Sequence, residues 1–222
     1  NSTVNISGGS FTTTNGGVSA TELAVRGTTI FNLSGTGTVT TPTLNMSTNQ
    51  IGSGGATSTF NLDGGTLVAG KIIKGTGGST GTQTFNFNGG TLKSSASSTT
   101  YMTGLTNAFV KAGGAVIDTQ AFNVTIGQDL LTDVVSTGGG LTKQGPGTLA
   151  LTGSNTCTGA TTVTAGTLQM GGSLSGAVTV AAAGTLAPGP ASAIGCLTLA
   201  SPLTEAGKLS FRIDRSNPQN AD

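Results

Sequence analysis

Apolar residues recur at every second position in short runs along this chain, and each run ends near a pair of small residues. The runs read Val4-Asn5-Ile6, Phe31-Asn32-Leu33, Phe60-Asn61-Leu62, Phe85-Asn86-Phe87 and Phe122-Asn123-Val124. A period of two puts both apolar side chains on one face and the Asn on the other, the signature of a strand with one face buried. In the first four copies two or three small or polar residues follow, and then a Gly-rich turn. Past the turn, Leu67 and Leu92 re-enter the interior. No apolar stretch approaches the roughly 18 residues of a membrane span.

The turns repeat as well. Gly-Gly-Thr-Leu or a close relative occurs with its defining Gly at 9, 37, 65, 90, 114, 147, 166, 184 and 207, a mean spacing of about 25 residues. A unit of that size cannot bury a core alone, and strand-rich units of 20 to 30 residues stack into solenoids. A propeller needs nearer 40 residues per blade. A parallel β-helix tolerates the uneven spacing, because extra residues bulge out as loops. The pattern therefore predicts an all-β, single-stranded parallel β-helix of about nine coils. At about 4.8 Å per coil it spans about 43 Å. Phe31, Phe60 and Phe85 should form an internal stack, with Leu33, Leu62 and Phe87 beside it. Asp63-Gly64-Gly65 and Asn88-Gly89-Gly90 read as corners where positive φ is needed.

Composition agrees and narrows the chemistry. Nearly half of the 222 residues are Gly, Thr or Ser, and only 8% are charged, against roughly 25% in an ordinary domain. Helical bundles lack their usual residues here. The absence of His excludes a His-dependent catalytic site. With a net charge of +1 and no basic run, nothing suggests a nucleic-acid partner. Residues 1–222 read as one β-helix segment, excised from a longer chain.

Residues 139–170 carry a more specific pattern, Leu141-Thr-Lys143-Gln-Gly145-Pro-Gly147-Thr-Leu149-Ala-Leu151-Thr-Gly153-Ser-Asn155-Thr-Cys157-Thr-Gly159-Ala-Thr161-Thr-Val163-Thr-Ala165-Gly-Thr167-Leu168. This closely resembles the autotransporter-associated β-strand repeat, also called the passenger-associated transport repeat. Cys157 stands where that family usually has Tyr. The resemblance implies a right-handed parallel β-helix, secreted from or displayed on a Gram-negative-type bacterium, with a repeat associated with export and folding of a passenger.

Candidate sites are few. Asp129 and Asp133, in Gly127-Gln-Asp-Leu-Leu-Thr-Asp133, form the best local acid pair. A loop carrying both could bind a cation, but a solvated loop or a short helical turn capping a coil explains them better. Asp63 fits turn chemistry. Lys71 and Lys74 flank a strand. Cys157 and Cys196 fall at similar positions two coils apart, farther than the roughly 7 Å a disulfide spans, and are expected as free thiols. Asn-x-Ser/Thr triplets at Asn1, Asn5, Asn32, Asn45 and Asn123 are expected by chance in so Thr-rich a chain. Tyr101 and the outward Thr rows could contact sugars. No catalytic, cofactor or metal-binding residue is assigned. The leading expectation is a non-enzymatic structural or adhesive rod, continuing into further coils or stacking end to end, with a carbohydrate or cell-surface ligand as the kind of partner its face could meet. The alternatives are a carbohydrate-active β-helix enzyme, whose paired acids would have to converge on one sugar bond, and a pure export or folding module.

Overall fold

The computed structural model describes residues 1–13, 21–22, 27–47, 56–75, 81–189 and 195–211. Strands follow one another with Gly-rich bends between them, and no helix interrupts them among the described residues. The first coil holds β1 (Ser2–Ile6), β2 (Ser10–Thr12) and β3 (Thr21–Glu22). The next two coils are each one long bent strand, β4 (Thr28–Asn45) and β5 (Thr57–Ile73). Three coils of separate strands follow: β6 (Gln83–Phe87), β7 (Thr91–Ser94) and β8 (Ser98–Thr103), then β9 (Asn107–Val110), β10 (Ala115–Asp118) and β11 (Val124–Ile126), then β12 (Leu130–Thr132), β13 (Leu141–Gln144) and β14 (Thr148–Leu151). The chain then runs through β15 (Thr161–Met170), β16 (Gly172–Leu174), β17 (Val178–Pro188), β18 (Leu197–Leu199), β19 (Leu203–Glu205) and β20 (Lys208–Leu209).

Every pairing between these strands is parallel, and partners lie about one repeat apart in sequence, which makes the fold a parallel β-solenoid. Its wall has three faces. The first is β1, the start of β4 and of β5, then β6, β9 and β12. The second is β2, the middle of β4 and β5, then β7, β10, β13, the starts of β15 and β17, and β19. The third is β3, the ends of β4 and β5, then β8, β11, β14, the ends of β15 and β17, and β20. The winding comes to about seven turns, slightly fewer than the nine coils expected from the Gly motifs.

The interior is a single column of side chains. Phe31, Phe60 and Phe85 stack with centroids 5.0 and 5.2 Å apart and planes within 8° and 2° of parallel. Leu33, Leu62 and Phe87 lie in register beside them. Outside the same strands the Asn residues form a ladder. Asn32 Nδ2 donates to Asn5 Oδ1, Asn61 to Asn32 and Asn86 to Asn61, each at 2.7 Å. A primary amide has a donor and an acceptor in one plane, so identical amides one strand apart can chain in this way.

The register corrects two expectations. The nine Gly motifs are not one series on one edge. Those at Gly9, Gly37, Gly65, Gly90 and Gly114 lead into the second face, whereas those at Gly147, Gly166, Gly184 and Gly207 lead into the third: Leu149 pairs with Val124, not with Ile117. The long interval from 114 to 147 is therefore one coil plus a step to the next face. Phe122-Asn123-Val124 likewise belongs to the third face, because the rung after Phe85-Asn86-Phe87 is Ala108-Phe109-Val110.

Candidate functional site

The segment 141–170 is where the solenoid changes character. Strand β13 enters with Leu141 and Lys143 on the inner side, both buried, by the same alternation that buries Phe60 and Leu62. The chain turns at Gly145, whose φ of 78° suits a residue without Cβ, and leaves as β14 with Leu149 and Leu151 inside. It turns again at 152–156, where Thr156 N–H donates to the Leu130 carbonyl at 2.9 Å. It returns as β15, with Thr161, Val163, Leu168 and Met170 inside.

Lys143 is the unexpected member of this set. Its side chain is fully buried, and its ammonium donates to the carbonyls of Gln144 (2.9 Å), Gly145 (2.7 Å) and Ala165 (3.0 Å). Burial pushes its pKa down from 10.5 to about 8, with the Asp118 carboxylate opposing the shift. Asp118 also sits 3.7 Å from Lys93 Nζ. Tyr101, expected on the outer surface as a sugar contact, is instead fully buried and donates its hydroxyl to the Lys93 carbonyl at 3.2 Å. Burial raises its pKa well above the usual phenol value, and the Asp118 charge adds to this. Sequence reasoning treated Lys143 only as part of a motif. Its position two residues after Leu141 on a strand was the available signal that it points inward.

These two groups make a pH prediction of opposite signs. The unfolded lysine keeps its proton up to its ordinary 10.5 while the folded one loses it from about 8. The cost of the buried ammonium is thus present in full below pH 8 and relieved as pH climbs toward 10.5, by at most about 1.4 kcal/mol per pH unit. The folded tyrosine holds its proton above the pH at which the unfolded one ionises, so stability falls again above about pH 10. Urea midpoints measured against pH should rise and then fall. Lys143→Met should flatten the rise, and Tyr101→Phe should remove the fall.

The other candidate residues serve local turns. Asp129 Oδ1 accepts the Ser154 N–H of the next coil at 2.7 Å. Asp133 Oδ1 accepts the N–H groups of Val135 (2.9 Å) and Ser136 (2.6 Å), and the Ser136 N–H is the main cause of its lowered pKa. The strand β12 separates the two acids, in place of the expected loop or helical turn. Each is engaged with a different backbone segment. Asp63 Oδ1 accepts Asn88 Nδ2 at 2.9 Å across two successive corners. Lys71 lies within β5 and Lys74 just beyond its end. Among the described residues no three His, Cys, Asp or Glu side chains group as metal ligands.

Both cysteines are free thiols, Cys157 buried and Cys196 exposed. They therefore lie on opposite sides of the wall rather than at similar positions, because Cys157 packs into the core while Cys196 offers its carbonyl to the Gly172 N–H ahead of β18. Burial pushes the Cys157 pKa up, which makes it a poor nucleophile. The triplet asparagines Asn5 and Asn32 are ladder members. Asn45 caps Ser47, and Asn123 accepts the Thr148 N–H at 3.0 Å. A cleft of about 570 Å³ opens beside β14, where Thr152, Ser154, Asn155, Gln169 and Ser173 surround Leu151 and Met170. The described residues that line it are uncharged.

Among the described residues no helix is long and apolar enough to cross a membrane. No curated protein and no solved structure matches the chain. A family model does match, over residues 141–170, and its description is the passenger-associated-transport-repeat. The match begins at Leu141 and ends at Met170, so it encloses the buried Lys143, both Gly-Thr-Leu corners and Cys157. A passenger-associated transport repeat, set in the wall of a parallel β-solenoid, is what this chain carries.

Proposed function

We propose that the chain is a structural segment of an autotransporter-type passenger, secreted from or displayed on a Gram-negative-type cell, and that it acts by reach and stability rather than catalysis. The observation that carries this reading is the transport repeat at 141–170 pairing in parallel with the coils before and after it in one sheet. The outer surface is rich in Thr, Ser and Asn, a face suited to adhesive contact with carbohydrate or another cell surface. Asp63, Asp118, Asp129 and Asp133 are engaged with turns or with Lys93 rather than converging on one groove, which supports the non-enzymatic reading over a glycan-cleaving one. Both ends of the winding present inward-type apolar residues to solvent, Val4 and Phe11 at one end and Leu203 and Phe211 at the other. Such ends take a further coil or a second copy, because a parallel rung leaves its backbone groups unpaired.

A single deletion tests the reading. Residues 139–170 are removed from the chain fused to a translocating barrel, and export from a Gram-negative host is quantified beside the intact fusion. Export should fall several-fold. Unchanged export would defeat a role for the repeat in transport. The exported intact chain, released and sedimented, should run as larger than one copy if its ends stack, and as a monomer if they do not.

A further inference from the structure

Lys143 occupies a rung whose neighbours are apolar, Ile117 before it and Val163 after it. Two of its three acceptors, the carbonyls of Gln144 and Gly145, belong to its own corner, and the third, Ala165, belongs to the next coil. An ammonium has three donors, and all three are used. The Thr164 hydroxyl donates back to the Lys143 carbonyl at 2.8 Å, so the same two coils are tied twice at one corner.

The coils that follow are near copies of each other. Thr162-Val163 and Gly166-Thr167-Leu168 recur as Thr179-Val180 and Gly184-Thr185-Leu186. Backbone pairing and the apolar column would accept either copy against β13 and β14, because hydrophobic contact has little directionality. The copies differ inside the corner. Two residues separate Val163 from Gly166, and three separate Val180 from Gly184, so the pairing of β15 with β17 shifts register there. Ala165, whose carbonyl meets the ammonium, lies within that corner. A buried ammonium is costly unless its acceptors are in place, whereas an apolar side chain would tolerate the longer corner.

We propose that Lys143 is the register-determining residue of the transport repeat: its ammonium selects the coil at 161–170, rather than the near copy at 178–188, as the neighbour that folds against 141–151. The role is one of positioning and specificity. Gly145 and Ala165 are only partly buried, so water can replace the ammonium at their carbonyls, and Gln144 keeps the Thr119 N–H as a donor at 3.0 Å. Removing the charge therefore leaves the native state intact and removes the discrimination.

The test uses the chain with Cys157→Ala and Cys196→Ser and one of two cysteine pairs. Thr142→Cys with Thr162→Cys reports the native register, since Thr142 and Thr162 are ladder partners. Thr142→Cys with Thr179→Cys reports the slipped one. Partners one rung apart lie within disulfide reach, and those two rungs apart, at about 10 Å, do not. Each is refolded from urea, oxidised at intervals and mapped by mass spectrometry. With Lys143 only the 142–162 bridge should form. With Lys143→Met the 142–179 bridge should appear at least several-fold above that background, while the urea midpoint of the native-register product stays equal or rises. Lys143→Arg, which keeps the charge, should suppress the slipped bridge as lysine does. The inference is overturned if Lys143→Met forms only the native bridge, if it lowers the midpoint or prevents folding, or if Lys143→Arg slips as freely as Lys143→Met.

Discussion

Replacing Phe60 with Ala should destabilise the rod by roughly 3–5 kcal/mol, the usual cost of removing a buried aromatic ring. Phe60 is fully buried and is the middle of three stacked rings, so its loss opens a gap touching both Phe31 and Phe85. The gap has little means of collapsing. Adjacent coils are held at their spacing by backbone ladders, and β4 with β5 is the longest ladder among the described residues. The same architecture confines the damage, since each coil of a solenoid meets only its neighbours. Hydrogen exchange should show lost protection in β4, β5 and β6 while β13 to β15 stay protected. Urea denaturation gives the magnitude. A loss below about 1 kcal/mol would mean that the coils close over the gap and that the ladders do not hold the spacing.

The Phe stack was legible in the sequence for a simple reason. Parallel in-register pairing places equivalent residues directly over one another, so the alignment of Phe31, Phe60 and Phe85 is also their geometry. The bends at Asp63-Gly64-Gly65 were legible too, with φ of 131° and 64° at the two glycines. The three-faced wall was not. A Gly-Thr-Leu corner looks the same in sequence whichever face it opens onto, and only the pairing of Leu149 with Val124 reveals that the later corners have moved. The long interval between 114 and 147 was a trace of that step, but uneven spacing has a more ordinary cause in loop insertions.

Side-chain orientation was the second limit. Tyr101 was grouped with the outward Thr rows as a residue that could contact sugars, on composition alone. The strand places it inward, with Met102 also buried, so β8 departs from strict alternation at this point. Lys143 was unreadable for the opposite reason. A lysine flanked by Thr and Gln looks solvated, and only the count of two from Leu141 argues otherwise. Both residues lie around Asp118, the one described acid whose charge bears on buried groups.

Gly166 should be among the least replaceable backbone positions of the transport repeat. Its φ is +67°, and a Cβ there would run into the carbonyl oxygens of Gly147 and Gly145 on the preceding coil. Those oxygens cannot retreat, because Gly147 is itself tied to the ladder by the Thr167 N–H at 3.1 Å. Gly166→Ala therefore combines two costs, the left-handed conformation at about 1 kcal/mol and overpacking against backbone at roughly 2 kcal/mol. Gly138 separates them. Its φ is +85°, yet a Cβ added there meets nothing within 4 Å. Gly138→Ala should thus lose only the conformational part, about 1 kcal/mol, and Gly166→Ala roughly three times as much in the same urea titration. Equal losses would show that the coils can part at this corner without cost. The predicted inequality instead means that coil spacing here is set by the closest approach of two backbones, which is why the corner that Lys143 bridges recurs as Gly in the next coil at Gly184.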